Sequence, residues 1–400
     1  MKKFLYFFLL YINSFLISVS IFLPCNKAYA SNYTDSNENI IEDLNNEIDQ
    51  QLNSINWDTL EEFLRNNQEE FSIINTDLFD LAKSILSGNF DINATTFLEY
   101  LLNIFIVGIQ GILPILSGVA VISILSGVVS KTKTNLLNES TGTLINFFFF
   151  AIILLLILNS VFYLLSISKN AIYSIKSLSN IATPTLLTLM TATGAKVSAK
   201  IYSPVIILLS EGVTEIVSNL VLPIFVFSIV FCIISNLSQE IKLKQLSNFF
   251  KNISTWILGI TFTVFTGFLT IQGLTAATID GVSIRAAKFA TKTYIPILGG
   301  YLADGFDLIL TSCILIKNCF GVVVLLILLS IVLSPIIKII IFNIGIGLIS
   351  AIVEPIADNK IVNFFVDLRK TLSILLVSVI AVTFMLFILI MMIIFSANVF

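Results

Sequence analysis

CFGVVVLLILLSIVLSPIIKIIIFNIGIGLIS, Cys319 to Ser350, is an almost unbroken apolar run. It is well above the roughly 20 residues that cross the hydrocarbon core of a bilayer as a helix. Runs of the same kind recur at about 101–129, 144–166, 204–235, 253–279, 294–316 and 372–396, so seven crossings are expected. The composition agrees: 56% of the 400 residues are hydrophobic, 34 are Phe and 12% are charged, against about a quarter charged in a soluble globule. The mean hydropathy is +0.98. Helices satisfy their own backbone groups inside lipid, and the expected fold class is therefore an all-α polytopic membrane protein.

The chemistry available to such a chain is narrow. There is no His, which removes the commonest general base and transition-metal ligand. Of the four Cys, Cys232, Cys313 and Cys319 lie inside apolar runs and read as small buried hydrophobes, while Cys25 fits a lipid-attachment signal poorly. No nucleophile with a paired base is recognisable, so an enzyme is not expected, and no cofactor or metal is implied. The basic residues are dispersed among apolar segments, which excludes a nucleic-acid surface.

Lys2 and Lys3 precede the apolar run Phe4 to Leu23, and Ala28-Tyr29-Ala30 offers small residues for cleavage. Residues 1–30 thus read as a signal peptide, with an uncleaved anchor as the alternative. Residues 31–96 read as a small acidic helical domain outside the cytoplasm. Between 31 and 100 there are 15 Asp/Glu against Arg65 and Lys83, a balance of −13, whereas 101–400 carries +7. Leu60, Phe63 and Leu64 recur at helical spacing, and Asp77 or Thr76 caps a further helix through Leu78, Leu81, Ala82 and Ile85 that stops at Gly88. With so little core of its own, this part is expected to pack on the membrane portion, 97–400, or on another protein.

Alternation from an outside N-terminal part puts Lys131/Lys133 and Lys242/Lys244/Lys251 inside, as the positive-inside rule wants. It also puts Lys196, Lys200, Arg285, Lys288 and Lys292 outside, which that rule disfavours. One escape is that 294–316, carrying Asp304 and Asp307, enters and leaves the membrane on one side, which flips everything after it. Pro114, Pro184, Pro223, Pro335 with Gly345 and Gly347, and Glu354-Pro355 are expected to break helices at membrane depth.

AKVSAKIYSP (195–204) and AKFATKTYIP (287–296) share the pattern A-K-x-x-x-K-x-Y-x-P. Each is followed by an acid-glycine pair, Glu211-Gly212 and Asp304-Gly305, so parallel repeat units of about 195–280 and 287–371 are expected. Lys at i and i+4 makes a basic stripe, Lys196/Lys200 and Lys288/Lys292, widened by Arg285. Tyr202 and Tyr294 suit the headgroup level, and Pro204 and Pro296 suit the first residue of a new helix. The bland reading is an interfacial helix that turns at Pro and launches a span; the sharper one is a pore lining or a surface for an anionic partner. Glu211/Glu215 and Asp304/Asp307 each share a helix face in an apolar stretch and are expected to point inward, either as ion pairs with the repeat's lysines or along a hydrated pathway.

TATGAKVSAKIYSPV (191–205), TIQGLTAATIDGVSIRAAKFATKTYIPILGG (270–300, which contains Asp280), LADGFD, IKNCFG and VEPIADNKIV (353–362) resemble the stage III sporulation protein AE family of endospore-forming bacteria. The segment from Gln272 to Pro296 is its most specific part. The resemblance implies a polytopic protein in the mother-cell membrane around the engulfed forespore. It further implies a subunit of a secretion-like channel complex, with sibling stage III sporulation membrane proteins and a forespore membrane partner. It carries over no catalytic residue. The alternative is a stand-alone secondary transporter coupled through Glu211, Glu215, Asp304 and Asp307.

Overall fold

The computed structural model describes residues 47–53, 55–66, 77–87, 94–136, 139–237, 243–294 and 299–396. The signal-peptide stretch, Cys25, Lys242 and Pro296 lie outside them. Three short helices come first: α1 (47–53), α2 (Asp58–Asn66) and α3 (Leu78–Leu86). Asp77 caps α3 as expected, its carboxylate accepting from the Phe79 N–H at 3.0 Å. Six long helices follow: α4 (Ala94–Leu136), α5 (Glu139–Ala192), α6 (Lys196–Leu237), α7 (Lys244–Tyr294), α8 (Gly299–Val353) and α9 (Asn359–Phe395). Each contains a stretch long and apolar enough to cross a membrane, so the described residues hold six candidate spans.

Six instead of seven follows from one correction. The expected spans 294–316 and 319–350 are one helix, α8, because nothing between Gly299 and Val353 stops it. From Gly299 on, the stretch 294–316 therefore neither crosses alone nor turns back to the side it came from, as the expected re-entrant segment would: it is the first part of α8. A second correction concerns the breakers. Pro114, Pro184 and Pro335 sit inside uninterrupted helices, and only Glu354-Pro355 coincides with an end, that of α8 at Val353. Around Pro223, α6 widens instead of breaking: Leu208–Val213 and Val217–Val221 are π-helical turns, a form that absorbs irregular hydrogen bonding without ending a helix.

α8 is the core helix. Ile316, Val323, Val324, Ile327, Ile331, Ile339 and Ile346 are fully buried, and α9, α5 and α4 surround it. Gly345 lets α4 approach closely: a Cβ there would stand 2.2 Å from Leu116 Cδ1 of α4, so the Leu116 side chain would have to move. α2 and α3 lie against the first half of α8: the Trp57 ring meets Phe320 at 5.4 Å, and the Cys319 thiol donates to Ala82 O at 3.3 Å. Thus the N-terminal helices pack on the membrane portion, where burial and the neighbouring Asp77 hold the Glu61 carboxyl above its ordinary range.

The connections sort to two ends. Gly127 abuts Ile356, the Phe150 ring meets Phe364 at 5.4 Å, and Lys244 pairs with Asp367 at 2.9 Å, so the α4–α5, α6–α7 and α8–α9 connections share one end. α2 and α3 lie at the other, with the α5–α6 turn and the end of α9. At 54 and 55 residues, α5 and α8 are about 80 Å long, more than twice the hydrocarbon thickness. On α5 the outward face is apolar from Leu144 through Phe148 and Leu155 to Tyr163, about 28 Å, and then carries exposed Ser166, Lys169 and Asn170. The remainder of α5 projects on the side of α2 and α3. On α7 the outward apolar face continues to Ile271, so the belt is oblique.

Candidate functional site

The two AK…YSP-like segments occupy opposite ends of their helices. Gly194, at φ 82°, makes the turn out of α5, a left-handed conformation that a side chain disfavours. α6 then begins at Lys196, behind Ala195, which has no side-chain cap. The free N–H groups of Val197 and Ser198 donate instead to the carboxylate of Asp280 on α7, at 3.0 and 2.8 Å. Asp280 is 1% exposed, and its charge is matched to the positive end of the α6 dipole. An acid seven residues before the second segment thus closes the helix that the first segment opens.

The second segment ends α7: Lys288, Lys292 and Tyr294 are in its last turns and Arg285 is exposed. The expected turn at proline does not occur in the first segment, because Pro204 lies inside the continuous helical run Lys196–Ile207. Nor does Tyr202 sit at a headgroup level; it is 2% exposed, inside the bundle. Lys196 and Lys200 are exposed. They lie at the start of α6, beside Asp280 of α7.

The acid pair of α6 faces outward, not inward. Glu211 and Glu215 are exposed. Glu211 pairs with Lys176 of α5 at 2.8 Å, not with a lysine of its own segment, and Glu215 accepts a hydrogen bond from the Asn219 amide. They share this outer surface with Lys176 of α5 and with exposed Ile207 and Leu220 of α6. Of the other pair, Asp304 is in the second turn of α8 and Asp307 is half-buried one turn on.

Sequence reasoning missed the lysines of α8. Lys317 is 0% exposed, and its Nζ donates to Ile394 O at 2.9 Å and to Ser396 O, so a buried cation closes the C-terminal end of α9. Lys338 lies three heptads further along the same helix, beside the ring of Tyr163. Each is a lone charge in an apolar run, and that is the signal by which both were legible. At the opposite end, the Asn343 amide donates to Arg369 O at 3.0 Å, and Lys244 and Lys370 flank Asp367 at 2.9 and 3.8 Å. Among the described residues no three His, Cys, Asp or Glu converge as metal ligands. What these groups can do chemically is hold helix ends and present charge.

Comparison with known proteins gives a consistent result. A profile described as stage III sporulation protein AE (spore_III_AE) matches residues 76–397. A curated relative, "Stage III sporulation protein AE" of Bacillus subtilis (strain 168), is 29% identical over 249 residues, covering 62% of this chain and 62% of the relative's own length. No solved structure matches.

Proposed function

The chain belongs to the stage III sporulation protein AE family, and from that premise we propose that it is a non-enzymatic subunit of a secretion-like channel complex that links mother cell and forespore after engulfment. The observation that carries this reading is the extent of the match, which takes in α3 and all six long helices. The fold supports it in a further way. With α5 and α8 about 80 Å long, a helical body projects beyond the bilayer on the side of α2 and α3. Such a body, in the mother-cell membrane around the forespore, offers sibling sporulation proteins and a forespore membrane partner a surface in the intermembrane space. The −13 balance of residues 31–100 suits a basic partner.

A stand-alone secondary transporter would gather its coupling acids around a shared midplane site. Glu211 and Glu215 face outward here, and Asp280 is engaged with the α6 N-terminus. Deleting the gene is expected to arrest spores after engulfment while vegetative solute uptake stays unchanged. Normal spores would overturn the reading, and altered uptake in vegetative cells would favour the transporter.

A further inference from the structure

α4, α5 and α8 enclose a crevice of about 410 Å3 that opens on the apolar outer surface of the bundle. Its floor is Gly108, Ile112 and Phe342, and its mouth is Val107, Asn159 and Tyr163, all three exposed. Into it reaches Lys338, half-buried, on the α8 turn after Pro335. Among the described residues its ammonium has no carboxylate within ion-pair distance; its neighbour is the Tyr163 ring, whose centroid is 5.9 Å away. A cation in a span is costly even on the most lenient scales, and such residues ordinarily meet a counter-charge. The Asn159 amide, at the same mouth, likewise makes no hydrogen bond to the described protein.

The position of the crevice points to the counter-charge. Tyr163 is the last apolar residue of the outward face of α5 before Ser166, Lys169 and Asn170, and Lys338 is about 22 Å along α8 from its end at Val353. On the α5 side the ammonium stands where the apolar face ends, within reach of a lipid phosphate and beside an aromatic ring of the kind that favours that level, while on α4 exposed Phe105, Leu102 and Leu98 carry the apolar face past the crevice. The remaining walls, Val107, Ile115 and Leu164, are apolar and suit the upper part of an acyl chain.

We propose that this crevice holds an anionic phospholipid, its phosphate against the Lys338 ammonium and the Asn159 amide and its glycerol and first acyl carbons against Gly108, Gly111 and Leu164. Basic pockets between membrane helices bind headgroups on this principle. A carboxylate from another membrane protein is the competing occupant, but the apolar crevice walls and their opening on the apolar outer surface match a lipid chain.

Gly111 supplies a variant that fills the site without disturbing the fold, because a Cβ there meets nothing within 4 Å. The full chain, purified in detergent and incubated with mixed micelles of phosphatidylglycerol and phosphatidylcholine, is examined by native mass spectrometry. Phosphatidylglycerol is expected to be retained preferentially. Lys338→Gln and Gly111→Leu are each expected to reduce its retention at least fivefold at unchanged helical content, while Lys338→Arg keeps it. Equal retention of the two lipids, or full retention by Lys338→Gln, overturns the proposal. So does a photocrosslinking residue at Val107 that captures a protein, and no lipid, in native membranes.

Discussion

Two helix ends and one helix face at the projecting end of the bundle treat charge in opposite ways. The N-terminus of α6 and the C-terminus of α9 are each closed by a buried charge from a distant helix, Asp280 and Lys317, with the sign that the helix dipole demands. The acid pair Glu211/Glu215, on the middle of α6, is instead exposed and pairs with exposed or half-exposed neighbours. The difference lies in what surrounds each group. Orphan backbone groups at a buried terminus have no water to turn to, so a charged side chain is recruited to satisfy them. Mid-helix there are no orphan groups, and an acid gains nothing from being inside. Buried charge in this protein accordingly marks helix ends, and exposed charge marks an outer surface.

Lys317 gives the largest expected break in that pattern. Lys317→Met keeps the apolar stem and removes the ammonium, leaving the carbonyls of Ile394 and Ser396 without this donor. A loss of about 2–5 kcal/mol is expected, read as a drop in the thermal midpoint in detergent together with fraying of the end of α9 in hydrogen exchange. An unchanged midpoint would mean that the end of α9 is closed by something other than this cation.

Asp280 comes next. Asp280→Ala strips two N–H groups of their acceptor, and a cost of about 1–2 kcal/mol is expected. The readout specific to capping is local: faster amide exchange at Val197 and Ser198 with the rest of the bundle still protected. Asp280→Asn, which keeps an acceptor oxygen but not the charge, should fall between the two. If alanine and asparagine behave alike, the neutral acceptor contributes little and the carboxylate charge on the helix dipole carries the cap; if asparagine matches the wild type, the hydrogen bonds alone matter.

Much of this fold was legible in the residues. The apolar runs, the Asp77 cap, the burial of Cys232, Cys313 and Cys319, and the packing of the N-terminal helices on the membrane portion all follow from local pattern. Among the described residues the seventh span is absent because run length reports apolarity and not where a helix stops, and α8 continues from Gly299 to Val353. The proline breaks failed for a related reason: a proline in an apolar run removes one hydrogen bond without ending the helix, and α4 and α8 run on through Pro114 and Pro335. The repeat misled most. A-K-x-x-x-K-x-Y-x-P matches letters, yet one copy opens a helix and the other closes one, because the turn before α6 is set by Gly194, outside the pattern. Lys317 and Lys338 could have been singled out as lone charges in apolar runs, but what each one faces depends on α9 and on Tyr163, which no local pattern contains.

The smallest effect on folding, and the sharpest test of the comparison, belongs to Glu211. The Lys176–Glu211 pair has side chains 24% and 59% exposed, and pairs of that kind contribute about 0–1 kcal/mol. Glu211→Gln should therefore leave the thermal midpoint within about a degree or two, far from the shift expected at Lys317. If the face of α6 that carries Glu211 is where this sporulation protein meets a neighbour, the same substitution reduces co-purification of partners from sporulating cells while the isolated protein is as stable as before. A variant that loses stability and assembly together would place Glu211 with the buried, end-closing charges. One that loses neither would leave the face as solvated surface and move the search for an interface to the apolar outer face of α7, from Trp256 to Ile271.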